Sequence, residues 1–251
     1  MIDDFFMVGF EVFMKSLLKT NPWFDLPFRL IDVGLSKKNR EKCLEIYSNI
    51  EFVDPKKENY KKISFEKTHE ILWNTYYKLD IFSYDDVDRL VFLDLDMIVL
   101  EDIKELFEFN VNIGGCKGYS EGSDQLRKDM NTGCIVLNKP LLNKSIYQGI
   151  LNYTAKAGGF SMPDQKAIGQ FFKNKIAFIP KKFDCEKRLW KGDKFKLFFN
   201  DKKELMYKEG KKVTKCKILH YVSEKPWQEK KDKINFGYKD LEKLWWNIKN
   251  E

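Results

Sequence analysis

The segment Leu90-Val91-Phe92-Leu93-Asp94-Leu95-Asp96-Met97-Ile98-Val99 constrains this chain more than any other. Four apolar residues run into two carboxylates spaced two apart, and three more apolar residues follow. So short and apolar a run reads as a strand buried in the middle of a parallel sheet. In extended chain, residues i and i+2 face the same way, so both carboxylates can converge on one cation. The C-terminal ends of strands are where open α/β sheets bind ligands. Paired hard oxygen donors suit Mg²⁺ or Mn²⁺, which bridge to phosphate oxygens. An Asp-x-Asp triplet alone is common and often a surface turn; the apolar flanks separate this one from that case.

The preceding chain fits an α/β class. Residues 4–18 carry Phe6, Phe10, Phe13 and Leu17 at helical spacing, with acids at the front where the helix dipole favours them, and Asn21-Pro22 stops the helix. A strand at 28–33, a helix at 36–47, a short strand at 51–53 and a longer helix at 65–82 follow. The last of these has a face of Ile71, Leu72, Tyr76 and Leu79. Strands and helices in alternation predict a sheet with right-handed crossovers. Later strands are expected at 112–116, 134–137, 176–179 and 217–220, and helices at 141–155, 164–172 and 238–248. The final third reads as less regular.

With 251 residues, the chain can bury one sizeable core, and 43% hydrophobic with 33% charged residues is ordinary for a folded domain. The net charge of +7 comes from dispersed lysines, the nearest thing to a block being 202–217 with Lys225, Lys230, Lys231 and Lys233 beyond. Dispersal argues against a nucleic-acid partner and leaves a solvated basic surface or a rim attracting anionic substrates. Five cysteines without a CxxC pair support neither a zinc site nor a disulfide framework, which points to a reducing, cytoplasmic setting. No run approaches the ~18 apolar residues of a membrane helix. The sequons at Asn143 and Asn152 are taken as chance.

Three further segments carry chemistry. In Ile218-Leu219-His220-Tyr221-Val222-Ser223-Glu224-Lys225-Pro226-Trp227, an apolar strand delivers a histidine, with a lysine five residues on. Imidazole joins oxygen donors well around Mn²⁺, and a lysine neutralises a diphosphate; the plainer reading is a core histidine. Asn131-Thr132-Gly133 reads as a polar turn feeding a strand. Met162-Pro163-Asp164-Gln165 reads as a helix start, with Asp164 as its N-cap or as a functional carboxylate.

In this order, the four segments resemble the glycogenin and bacterial lipopolysaccharide galactosyltransferase family, family eight of the retaining glycosyltransferases, from about Phe5 to Trp227. The resemblance implies one GT-A domain, Rossmann-like, over residues 1–251. About 1–140 would form the nucleotide-sugar and metal half, and 141–251 the acceptor half with the metal-binding histidine. It implies Mn²⁺ (or Mg²⁺) held by Asp94, Asp96 and His220, and a donor, UDP-glucose or UDP-galactose, contacted by Asp3, Phe6, Lys78, Leu95, Ser223 and Lys225. Phe6 falls where the family stacks an aromatic ring on uracil. Lys78, Asn131, Asp164 and Gln165 match positions around the transferred sugar and the acceptor, a saccharide or protein hydroxyl. The chain differs from the family in two places. Ser223 stands in a loop that usually carries glycine, and the chain opens at the nucleotide-binding turn where members have a full first strand, so that strand is expected to be lacking or truncated.

The activity so implied is hexosyl transfer with retention, either front-face or through a nucleophile at Asp164 or Gln165. A catalytically weakened or non-catalytic nucleotide-sugar-binding protein is the alternative, motivated by the first strand. A nucleotidyltransferase would need an upstream Gly-rich phosphate loop. None of the eleven tyrosines stands out as a self-glycosylation site. The oligomeric state is open, a dimer being compatible.

Overall fold

In the computed structural model, which describes residues 1–64, 66–228 and 237–251, strands and helices alternate through the first half as expected. β1 (Ile2–Asp3) leads through a 3-10 turn (Asp4–Phe6) into α1 (Met7–Thr20), then β2 (Phe28–Gly34), α2 (Lys37–Ile46) and β3 (Ile50–Val53). Two 3-10 segments, Lys57–Tyr60 and Glu70–Ser83, precede β4 (Arg89–Leu93), and β5 (Met97–Val99) starts directly after Asp96. β6 (Ile113–Ser120) and β7 (Gln125–Asn138) pair antiparallel, followed by α3 (Lys144–Lys156), α4 (Pro163–Phe171), β8 (Ala177–Phe178) and β9 (Cys185–Glu186). The final third holds an antiparallel meander of β10 (Phe195–Phe199), β11 (Leu205–Glu209) and β12 (Lys212–Lys215), then β13 (Ile218–His220) and α5 (Lys239–Asn250).

Local chemistry accounts for the boundaries. The Asp3 carboxylate accepts from the Phe6 amide at 2.9 Å and starts the first helical turn. The Ser36 and Asn143 side chains cap α2 and α3 in the same way, which gives Asn143 a structural role. At the end of α1, the Asn21 amide donates to the Leu17 carbonyl, while its oxygen accepts from the Ile103 amide at 2.8 Å. Ser16 accepts from the Val99 amide at 3.0 Å. These buried polar pegs fasten α1 against β5 and so fix the strand that follows the two aspartates.

The strands fall into ladders β1-β2-β3, β4-β7-β6-β8, β5-β13-β9 and β10-β11-β12. β2 contributes Ile31 to the core beneath α3, α4 and the Glu70–Ser83 segment, and Leu30 to the core beneath α1; β7 divides Ile135 and Leu137 from Cys134 and Val136 likewise. Alternation over two apolar faces is what the run Cys134–Leu137 requires. A third cluster joins α5, through Trp245 and Leu241, to the meander.

Several expectations are corrected. Residues 70–83 form a 3-10 helix, not an α-helix, and Leu72 on its expected face is 38% exposed; Tyr76 and Leu79 are buried. Phe65, the side chain of Ile71, and Lys230, Lys231 and Lys233 lie outside the described residues. The final third is more regular than expected, because the meander and the short β9 are strands. β4 pairs antiparallel with β7 and has no strand on its other edge among the described residues, so it is not the centre of a parallel sheet. The first strand has two residues. β1 covers β2 only at Asp32 and Gly34, leaving Phe28–Ile31 open on that side. A cavity of about 580 Å³, lined by Met1, Phe28, Leu30, Leu90 and Phe92 among others, lies between β2 and β4.

Candidate active site

Asp94 and Asp96 sit where the chain passes from one ladder to another. The Asp94 amide donates to the Gly133 carbonyl at 2.9 Å, extending the β4·β7 pairing by one residue. The Tyr221 amide donates to the Asp96 carbonyl at 2.8 Å, extending the β5·β13 pairing. His220 stands opposite Met97 in that second ladder, which brings it beside Asp96. Leu95 turns into the core and is 3% exposed, so only its backbone is left to meet a ligand.

The ligand atoms of Asp94, Asp96 and His220 lie within 4.8 Å of one another. His220 Nε2 is 3.3 Å from Asp96 Oδ1 and 4.0 Å from Asp94 Oδ2. Ligands about 2.1 Å from an octahedral cation sit roughly 3 Å apart at right angles and about 4.2 Å apart across it. The donor set and its spacing therefore fit a divalent cation of the Mn²⁺ or Mg²⁺ type. Behind the ring, His220 Nδ1 is 2.8 Å from Asp184 Oδ1. Burial works against a charged imidazole, but Asp96 and Asp184 outweigh it and raise the His220 pKa to about 10. Gly133 leaves room for the ring, since a Cβ there would stand 2.4 Å from His220 Cε1.

Two lysines balance the carboxylates. Lys78, 3% exposed, places its ammonium 3.1 Å from Asp94, 2.7 Å from Asp164 and 3.0 Å from the Thr132 carbonyl. Burial opposes its charge, yet Asp164 and Asp94 hold its pKa above the ordinary lysine value. Lys225 pairs closely with Asp96 and also donates to the Tyr221 carbonyl. Against the cost of burial, Lys225 and His220 keep Asp96 ionised well below the usual carboxylate range; burial raises Asp94. Asp164 is held low by Lys78 despite its burial.

Asp164 does not cap α4. It lies in the first turn of that helix, and its carboxylate accepts from the Thr132 hydroxyl at 2.6 Å. Asn131 and Gly133 lie within β7, correcting the turn reading, where the ladder with β6 slips between the pairs Gly115–Ile135 and Lys117–Met130. The slip presents Thr132 to Lys78 and Asp164, and Asn131 accepts from the Gly133 amide at 2.7 Å. Gln165 is buried and set between Arg127 and Asp129. Asp3 and Phe6 lie at the start of α1. Phe6 packs edge-on against Trp227, 5.7 Å between centroids, and Phe5 is the more exposed ring. Ser223 is exposed with φ +65°, in the left-handed region that favours glycine.

Two members of the cluster escape a reading of the sequence. Thr132 had a partial signal, lying beside Asn131. Asp184 had none, being a lone aspartate after Lys181-Lys182-Phe183.

Residues 1–231 match the family model described as glycosyl transferase family 8. The curated protein galactinol synthase 1 of Solanum lycopersicum is 25% identical over 264 residues, spanning 94% of this chain and 76% of that protein. Among solved structures, the galactosyltransferase LgtC in complex with donor and acceptor sugar analogues superposes with a TM-score of 0.73 at 19% identity, covering 98% of this chain and 94% of that one. The glycosyltransferase GlyE of Streptococcus pneumoniae TIGR4 gives a TM-score of 0.67 at 18% identity, covering 99% of this chain and 59% of that one. These likenesses establish the GT-A fold expected from the sequence. No described helix is long and apolar enough to cross a membrane.

Proposed function

Because this chain belongs to glycosyltransferase family 8, we propose that it transfers a hexose, glucose or galactose, from a UDP-sugar to a hydroxyl acceptor with retention at the anomeric carbon. The observation that carries this reading is the convergence of Asp94, Asp96 and His220 beside two lysine ammoniums at the junction of two ladders. A divalent cation held by those three would supply Lewis-acid stabilisation of the diphosphate leaving group. Lys225, at the rim of the site, neutralises the same diphosphate as a point charge. Asp164, kept ionised by Lys78, lies ready to favour positive charge at the sugar carbon. Lys78 holds both acids in place, and Thr132 orients Asp164. Gln165 would contact the acceptor, and Phe6, edge-on to Phe5, would stack on the base. The five cysteines are free and buried, which supports a reducing, cytoplasmic setting.

The test is a panel of UDP-sugars with Mn²⁺, read by mass spectrometry for released UDP, glycosylated acceptor and self-glycosylation. Turnover with UDP-glucose or UDP-galactose is expected, falling at least 100-fold in Asp94→Ala and Asp96→Ala, a loss of ~2.7 kcal/mol of transition-state stabilisation. Turnover unaffected by both substitutions defeats the enzymatic reading. The alternative reading is a weakened enzyme that retains binding. Calorimetric binding of a UDP-sugar without turnover of any donor would select it.

A further inference from the structure

We propose that Asp184 is the positioning residue of the metal site, holding His220 with Nδ1–H donated backwards so that the Nε2 lone pair faces the cation between Asp94 and Asp96. The proposal rests on the metal-site reading above and assigns it a third carboxylate, behind the imidazole. The geometry is specific. His220 Nδ1 and Asp184 Oδ1 are 2.8 Å apart, and the ring's other nitrogen looks onto Asp96 at 3.3 Å. Two parallel strands bring the residues together. Asp184 immediately precedes β9, whose Cys185 and Glu186 stand opposite Leu219 and His220. A shift of either strand would separate the pair.

Asp184 is fully buried, and its second oxygen, Oδ2, meets no hydrogen-bond donor. A buried carboxylate in that condition carries a desolvation cost that packing alone does not explain. What compensates it is a line of alternating charge. Lys181 stands 3.9 Å from Asp184 Oδ2 and 2.9 Å from Glu186, and Arg188 stands 2.5 Å from Glu186 at the outer end. Glu186 also accepts from the Tyr119 amide at 2.8 Å, which ties the line to β6. Lys181, itself held by Glu186, thus faces Asp184 on the side away from the ring, and Gly133 lets the backbone of β7 pack close against the ring's edge. A carboxylate behind a ligating imidazole selects one tautomer, stops ring rotation and raises the basicity of the metal-facing nitrogen. Without it, the imidazole could present Nε2–H to Asp96 as a donor, and the third ligand would be lost.

The test uses the full chain and Mn²⁺ alone, titrated by electron paramagnetic resonance. Asp184→Ala should weaken Mn²⁺ binding roughly 10- to 100-fold, the range for loss of an outer carboxylate, and Asp184→Asn, which keeps an acceptor, should fall between it and the parent. If Asp184 acts through His220, adding Asp184→Ala to His220→Ala should cost nothing more. The chain has two histidines, so ¹⁵N spectra of the Mg²⁺-loaded protein can be assigned. The Nδ1–H form of His220 is expected in the parent and its loss in Asp184→Ala. Should Asp184→Ala fail to fold, Asp184→Asn carries the same comparison in both backgrounds. Parental Mn²⁺ affinity in the Asp184 variant, or an undiminished further loss in the His220→Ala background, overturns the proposal. Asp94→Asn and Asp96→Asn separate the two levels. If they too bind Mn²⁺ like the parent, the metal-site reading falls and this proposal with it; if they lose binding while the Asp184 variants do not, only the positioning role falls.

Discussion

Replacing Gly133 with alanine isolates the packing around the His220 ring. The residue lies in β7 with no left-handed backbone angle, so alanine is acceptable to the chain itself. The obstacle is the added carbon. It would stand 2.4 Å from His220 Cε1, 2.7 Å from Nδ1 and 2.7 Å from the Met97 methyl. Carbon atoms settle about 3.5 Å or more apart, so the ring must retreat by roughly 1 Å. It has nowhere to go without lengthening the 2.8 Å contact to Asp184 or the 3.3 Å contact to Asp96. Overpacking of this kind costs about 1–3 kcal/mol. At roughly 2–4 °C per kcal/mol for a chain of this size, the melting temperature should fall by about 2–12 °C. A 1 Å displacement at a reacting site costs on the order of 100-fold in rate, so UDP-sugar turnover should fall by that factor.

Differential scanning fluorimetry, Mn²⁺ titration and turnover read the three effects separately. Gly122→Ala is the control. Nothing lies within 4 Å of a Cβ built there, and its melting temperature should match the parent's, within about 0.5 kcal/mol. A Gly133→Ala protein with parental melting temperature and parental Mn²⁺ affinity would refute the reasoning, because it would mean the ring is free to move.

Lys78→Met should destabilise the fold by about 3 kcal/mol in urea denaturation, since it leaves buried Asp164 and half-buried Asp94 facing each other without their shared cation. Stability equal to the parent's would mean that one of the two acids is protonated in the native protein. Ser223→Gly should raise stability by about 0.5–1 kcal/mol, the left-handed strain at φ +65° exceeding the entropy glycine brings to the unfolded chain. The urea midpoint should therefore shift upward with an unchanged slope, and a downward shift would show that the Ser223 side chain stabilises its loop.

How far the sequence reaches differs by element for physical reasons. The segment from Leu90 to Asp96 is legible because an apolar run and a two-residue spacing are local signals. The helices over Met7–Thr20 and Lys239–Asn250 are legible for the same reason. β5 and β9 have three and two residues, too few for any period, and exist because they pair with β13, whose apolar run at 218–220 is itself legible. Asn131–Gly133 reads as a turn since its polarity is local information. Its true setting, an irregular stretch of a 14-residue strand, depends on a register with β6 that no window of sequence contains. The antiparallel partner of β4 is invisible likewise, 41 positions downstream at the Leu93–Cys134 pair.

The same distinction explains which parts of the candidate site sequence reasoning finds. Residues that would touch a ligand directly, Asp94, Asp96, His220 and Lys225, sit in short segments with recurring composition. Of the groups that hold them, Thr132 and Gly133 lie in a segment the sequence marks without showing what it supports, and Asp184 carries no signature of its own. Their roles follow from where the ladders meet. The β4·β7 pairing ends at Asp94 and the β5·β13 pairing begins at Asp96, so each aspartate is fixed by a different ladder. Thr132 and Gly133 arrive with β7 on one side, and Asp184 and His220 arrive with β9 and β13 on the other. A displacement of one ladder against the other would move Asp94 away from Asp96 and His220 together. The pegs at Ser16, Asn21 and Gly9 therefore matter to the chemistry as well as to the fold. Ser16 and Asn21 hold β5 and the chain after it to α1, and Gly9 lets α1 approach the Leu95 carbonyl, where a Cβ would meet that oxygen at 3.0 Å and the Trp227 ring at 2.7 Å.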